Sequence, residues 1–141
     1  ISTMGWKKVG IRLSPFGVFN DMPLYDGMAS DYTYLAEQLN TLEPVYIHLV
    51  DHSGMGAPPV PDYIRVTFRR EFNGTLILSG GYDAEPAEAD PVAGKCDLIA
   101  VGRPFPANPD LVERCNLEFT FTNIEKPCTC YPLVYFYQDR K

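Results

Sequence analysis

The chain has 141 residues, 45% of them hydrophobic, and a formal net charge of −6. A complete (β/α)8 barrel takes about 250 residues, so at most part of one fits here, in a single domain. The acidic balance (pI about 4.8) argues against nucleic-acid and anionic-membrane partners, since nothing neutralises a phosphate backbone in bulk.

In chain order, residues 8–15 (KVGIRLSP) alternate as a strand. Val9, Ile11 and Leu13 share one face, and Gly10, Arg12 and Ser14 the other. In a barrel wall the apolar face meets helices and Arg12 points inward. On an edge strand Arg12 is simply solvated, and the residues alone leave both readings open. Residues 15–30 form a long loop of the kind that carries function. A helix is expected over 31–40, capped by Ser30 or Asp31, with Tyr32, Leu35, Ala36 and Leu39 as its buried stripe.

Residues 45–50 (VYIHLV) read as a second strand, with Tyr46 and His48 opposite Val45, Ile47 and Leu49. A strand histidine is usually packed and hydrogen-bonded, and ligand or base is the rarer role. Asp51-His52 has the residue types of a catalytic pair, but neighbours on a strand point to opposite faces. After a Gly/Pro loop, Pro61 opens a helix at its first position, with Ile64 and Phe68 packed. Arg65, Arg69 and Arg70 read as its solvated face.

Residues 75–114 carry the densest pattern. One apolar run (Leu76, Ile77, Leu78) leads into Gly80-Gly81, and another (Leu98 to Val101) leads into Gly102-Arg103. Bare amides and a guanidinium at two strand ends suit phosphate oxygens. The helix between them, from about Asp83, is interrupted by Pro91, and Asn108-Pro109 starts a fourth helix. The order is therefore βαβαβαβα: four parallel strands alternating with helices, right-handed throughout. A half-barrel or a small doubly wound, flavodoxin-like sheet satisfies that order. Four open strands would leave unprotected edges, which a complementary half-barrel or self-association would cover.

No apolar run approaches the roughly 18–20 residues of a membrane span, and no apolar leader follows Lys7-Lys8. Cys96, Cys115, Cys128 and Cys130 are read as thiols of a reducing cytoplasm, with no metal site. Residues 128–141 are aromatic-rich without a clear period.

The residues KVGIRLSPFGVFNDM, YTYLAEQLN, YIHLVDHS, GTLILSGGYDAE and DLIAVGRPFPANPDLVER resemble the Old Yellow Enzyme family of flavin mononucleotide (FMN) ene-reductases, from about Val9 to Arg114. The resemblance implies the C-terminal half of a (β/α)8 TIM barrel, strands five to eight, over residues 1–141, with 115–141 a poorly matching tail. It implies that Arg12 lies against the flavin ring and that Gly80, Gly81, Gly102 and Arg103 hold the FMN phosphate. NAD(P)H would be the reductant and an activated alkene such as an enone the substrate. The family's proton-donating Tyr and carbonyl-binding His/Asn pair have no counterpart here, so no catalytic residue is assigned. The family's tail motif Gly-Tyr-Thr-Asp-Tyr-Pro is replaced by Pro127-Cys128-Thr129-Cys130-Tyr131-Pro132. A flavin-holding part, inactive unless complemented, is the expectation, and a non-catalytic half-barrel remnant is the alternative.

Overall fold

The structure is a computed structural model that describes residues 5–82, 84–102, 108 and 110, and the backbone of 134–137. It divides into two compact units, residues 1–81 and 82–141.

The first unit is built on three parallel strands, β1 (Gly10–Leu13), β2 (Tyr46–Val50) and β3 (Thr75–Ser79). β2 pairs with both neighbours: Ile11 stands beside Ile47 and Ile47 beside Leu76, and Leu13, Leu49 and Leu78 form the next such row. These rows alternate with a second set, Arg12–His48–Ile77, on the opposite face. β2 and β3 are buried along most of their length, whereas β1 alternates between exposed and half-buried. The inner strands of a parallel sheet are covered on both faces, which explains their continuous apolar runs.

Two helices return the chain between strands. α1 (Met28–Leu42) begins three residues earlier than the sequence predicts. Gly27 is its N-cap, without a side-chain bond, and Ser30 lies inside the first turn, where its hydroxyl donates to the Gly27 carbonyl at 2.7 Å. Asp31 is in that turn too, accepting from the Tyr25 hydroxyl at 2.8 Å. Met28 is buried four residues before Tyr32 and so extends the predicted stripe backwards, and Ala36 and Leu39 are its buried centre. α1 stops at Glu43, which takes a left-handed φ of 52° while its N–H bonds the Leu39 carbonyl.

α2 (Asp62–Glu71) starts one residue later than expected, because Pro61 keeps an extended ψ of 146° and serves as the N-cap. Ile64, Thr67 and Phe68 are buried at i, i+3 and i+4, and the Phe68 ring meets Tyr32 of α1 with centroids 6.3 Å apart. The arginines correct the expectation of a solvated face. Arg69 Nη2 donates to the carbonyls of Phe72 (2.8 Å) and Gly74 (3.3 Å), closing the helix end. Arg65 reaches back to the end of β2. Only Arg70, bonded to Glu71, is largely exposed.

The second unit contains α3 (Ala84–Val92), β4 (Leu98–Val101) and β5 (Val134–Tyr137). Pro91 sits one residue before the end of α3, where its missing N–H and ring crowding stop the helix, as expected. Gly94 then turns with φ 73°. Asp90 holds this corner, accepting from Lys95 Nζ at 2.6 Å and the Tyr82 hydroxyl at 2.9 Å. β5 lies in the tail for which the sequence offers no period. It pairs antiparallel with β4, Val101 beside Val134 and Leu98 beside Tyr137. The described strands are thus four in alternation with helices, plus one antiparallel strand the sequence did not foretell. The predicted fourth helix falls largely outside the described residues.

Candidate functional site

In an open or closed parallel α/β sheet, ligands are taken at the C-terminal ends of the strands. In the first unit those ends bring together Arg12, Ser14, His48, Asp51, His52, Ser79, Gly80 and Gly81.

Arg12 and His48 are register partners on the same face. Arg12 is exposed and makes no ion pair among the described residues. Among the described residues its charge has no carboxylate partner, and its row of the sheet, Arg12–His48–Ile77, carries none. His48 is only 2% exposed and its Nε2 lies 2.8 Å from the Ser79 hydroxyl, two residues beyond its register partner Ile77. Burial, with the Arg12 charge beside it, pushes the His48 pKa down to about 4, so the ring is neutral near pH 7. The expectation of a packed, hydrogen-bonded histidine is met.

β3 ends in a turn whose two glycines have different reasons to be glycine. At Gly80, φ is 107°, and a Cβ would stand 2.0 Å from the Asp51 carbonyl oxygen. The end of β2 passes directly against it, with the Asp51 N–H bonded to the Ser79 carbonyl at 2.8 Å. At Gly81, φ is 69° and a Cβ would meet nothing within 4 Å. Gly80 thus serves a close backbone approach, while the backbone at Gly81 borders open space, as a phosphate cradle requires. Gly102 follows β4 in the second unit and is half-exposed, and Arg103 lies outside the described residues.

Asp51 and His52 do not form a catalytic pair. Asp51 is 8% exposed, and its carboxylate accepts from Ser53 N–H (2.7 Å), Val60 N–H (2.9 Å) and Arg65 Nη2 (2.8 Å). Burial drives this carboxyl upward, but the Ser53 and Val60 hydrogen bonds and the Arg65 charge outweigh it and hold it below the usual range. It staples the 51–60 loop to α2. His52 turns the other way, with Nε2 at 3.2 Å from the Ser14 hydroxyl and its ring edge-on to Phe19 at 5.1 Å, which docks the loop after β1. Sequence reasoning missed the His48–Ser79 and Asp51–Arg65 pairs. Neither spacing has a local signature, although the register of β2 against β3 predicts the first.

The alternating strands and helices are those of part of a β/α barrel, and in the first unit an exposed arginine and a glycine turn stand at the strand ends. The comparisons agree. Residues 1–120 match the model of the NADH:flavin oxidoreductase / NADH oxidase family, and the chain belongs to that family. It is 38% identical over 130 residues to putative 12-oxophytodienoate reductase 6 of Oryza sativa subsp. japonica, covering 89% of this chain and 33% of that protein. It is 35% identical over 116 residues to putative 12-oxophytodienoate reductase-like protein 1 of Arabidopsis thaliana, covering 81% of this chain and 36% of that protein. Among solved structures, morphinone reductase superposes with a TM-score of 0.77 at 35% identity, over 89% of this chain and 33% of its own. The old yellow enzyme from Trypanosoma cruzi gives 0.72 at 27%, over 86% of this chain and 32% of its own. The chain thus spans about a third of the length of its relatives, and its fold is part of their barrel.

Proposed function

We propose that this chain is the flavin-gripping part of an NAD(P)H-dependent FMN oxidoreductase that reduces activated alkenes such as enones. The observation that carries the reading is that Arg12, without an ion pair among the described residues, and the open Gly81 turn stand at the strand ends of one sheet. FMN, when bound, would supply the hydride-transfer chemistry between NAD(P)H and the alkene. Arg12 would hold the flavin ring, and its guanidinium would stabilise the negative charge that the ring gains on reduction. Backbone N–H groups at Gly80 and Gly81 would hold the phosphate. The neutral His48 keeps a second positive charge away from Arg12.

The NADH:flavin oxidoreductase family match and the solved complex of morphinone reductase with tetrahydroNAD support a nicotinamide reductant. A proton donor and a carbonyl clamp are not assigned to any residue of this chain, so by itself it binds without turning over. A complementary half-barrel, or a second copy, fits the free side of β1, which pairs only with β2 among the described residues and stays half-exposed.

Flavin titration followed by fluorescence quenching tests the reading. FMN should bind, and Arg12→Ala should weaken FMN and riboflavin alike, because Arg12 serves the ring. Absence of FMN binding, or indifference to Arg12→Ala, refutes it. NAD(P)H oxidation with an enone should stay at background for the chain alone.

A further inference from the structure

His48 is buried, lies outside the residues assigned to the flavin, and spends its bond on Ser79 rather than on solvent. Ser79 is the residue immediately before the Gly80-Gly81 turn. It is held twice: its hydroxyl by His48 Nε2 at 2.8 Å, and its carbonyl by the Asp51 N–H at 2.8 Å. Both holds come from β2 and the residue that follows it. One fixes the backbone of Ser79, and the other fixes its side chain on the face shared with Arg12. The turn that follows is two consecutive glycines with φ of 107° and 69°, a backbone that glycine enters without strain but with many alternatives open to it. Because glycine is the most freely moving residue, such a turn keeps one geometry only where its neighbours fix it.

We infer that His48, acting through the Ser79 hydroxyl, is a positioning residue for the Gly80-Gly81 turn and thereby sets the preference for a phosphorylated flavin over its unphosphorylated form. This rests on the proposed FMN site. Its distinctive content is that a side chain on β2, beside the ring-binding arginine, governs the phosphate end of the cofactor. Arg12 and His48 then divide one row of the sheet between two tasks. The arginine offers its charge outward, and the neutral histidine turns its ring nitrogen along the sheet to β3. A charged residue at position 48 would face Arg12 directly, and an apolar one would leave the half-buried Ser79 hydroxyl without its partner.

The test compares FMN with riboflavin on the full chain. Wild type should bind FMN more tightly than riboflavin. His48→Leu and Ser79→Ala should each reduce FMN affinity about tenfold, the scale of one lost hydrogen bond, and leave riboflavin within about twofold. The double variant should be no worse than either single one, and His48→Gln, whose amide nitrogen reaches the same place as Nε2, should recover most of the loss. Equal wild-type affinity for the two flavins, or none for either, refutes the proposed phosphate cradle. A wild-type preference that survives both substitutions refutes only the role of His48, as does a parallel loss of both ligands. Amide hydrogen exchange on the flavin-free chain supplies an independent readout. His48→Leu and Ser79→Ala should speed exchange at Gly80 and Gly81 about tenfold, with His48→Gln near wild type. Unchanged exchange at the turn overturns the inference.

Discussion

Replacing Gly80 with alanine should be far more damaging than replacing Gly81, although the two are adjacent and both have positive φ. At Gly81 the new methyl enters open space, so the cost is that of a left-handed backbone for a non-glycine residue, about 1–2 kcal/mol. At Gly80 the same kind of strain applies, and the methyl would also stand 2.0 Å from the Asp51 carbonyl oxygen and 2.9 Å from its Cβ. Neither obstacle is the loose end of a side chain. Asp51 is fixed by its N–H bond to Ser79 and by three donors on its carboxylate, so relief requires separating β2 from β3 at their ends. Overpacking of this type adds about 1–3 kcal/mol. Gly80→Ala should therefore cost about 2–5 kcal/mol, which lowers Tm by roughly 6–20 °C in a chain of this size. Gly81→Ala should shift it by only a few degrees. Urea and thermal unfolding of the two variants, followed by circular dichroism, measure the difference. Equal losses would show that the β2–β3 approach is not as tight as described and that both glycines serve only the turn. FMN titration adds the complementary contrast: Gly81→Ala should weaken phosphate binding while leaving the protein folded.

Acid titration separates two buried groups. The folded pKa of His48 lies near 4, below the ordinary 6.5, so the unfolded chain binds the proton first. Stability should fall as pH drops from about 6.5 to 4, by up to about 3 kcal/mol, and His48→Gln should flatten that slope. Asp51 is depressed below its ordinary 3.8, so its contribution is intact above that value and is lost as pH falls further through the folded pKa. Asp51→Asn should thus narrow its stability gap from wild type only below about pH 4, and a gap that persists unchanged into strong acid would contradict the assignment. Arg69→Ala, which removes the donor to the Phe72 and Gly74 carbonyls at the end of α2, should cost about 1–2 kcal/mol in urea unfolding, and Arg70→Ala less than about 0.5.

The strand positions were legible because they are short apolar runs closed by glycine, and a parallel wall buries both faces of its inner strands. Helix interiors were legible for a similar reason: Ala36, Leu39, Ile64 and Phe68 repeat at the helical period and are all buried. Helix starts were less so. Ser30 and Asp31 have cap chemistry, but Met28 buries its side chain and takes the helix past them, since packing outweighs a single cap. The tail strand Val134–Tyr137 had no period to read, because a strand that pairs with β4 needs only backbone groups and an available edge.

Composition and local pattern by themselves determined the β/α alternation, the glycine-ended strands and the resemblance that carries the family. Only the tertiary structure decided what each residue at those ends does. It separated Gly80, pressed on Asp51, from Gly81, which borders open space, and turned Asp51 and His52 to different partners. It drew Arg65 out of an expected solvated face onto a carboxylate fourteen residues away, and His48 onto a serine thirty-one residues away. Periodicity is a local property that a few neighbouring residues impose. Strand register is a long-range one, set by packing the whole sheet, and it is register that assigns Arg12, His48 and Ser79 to one face.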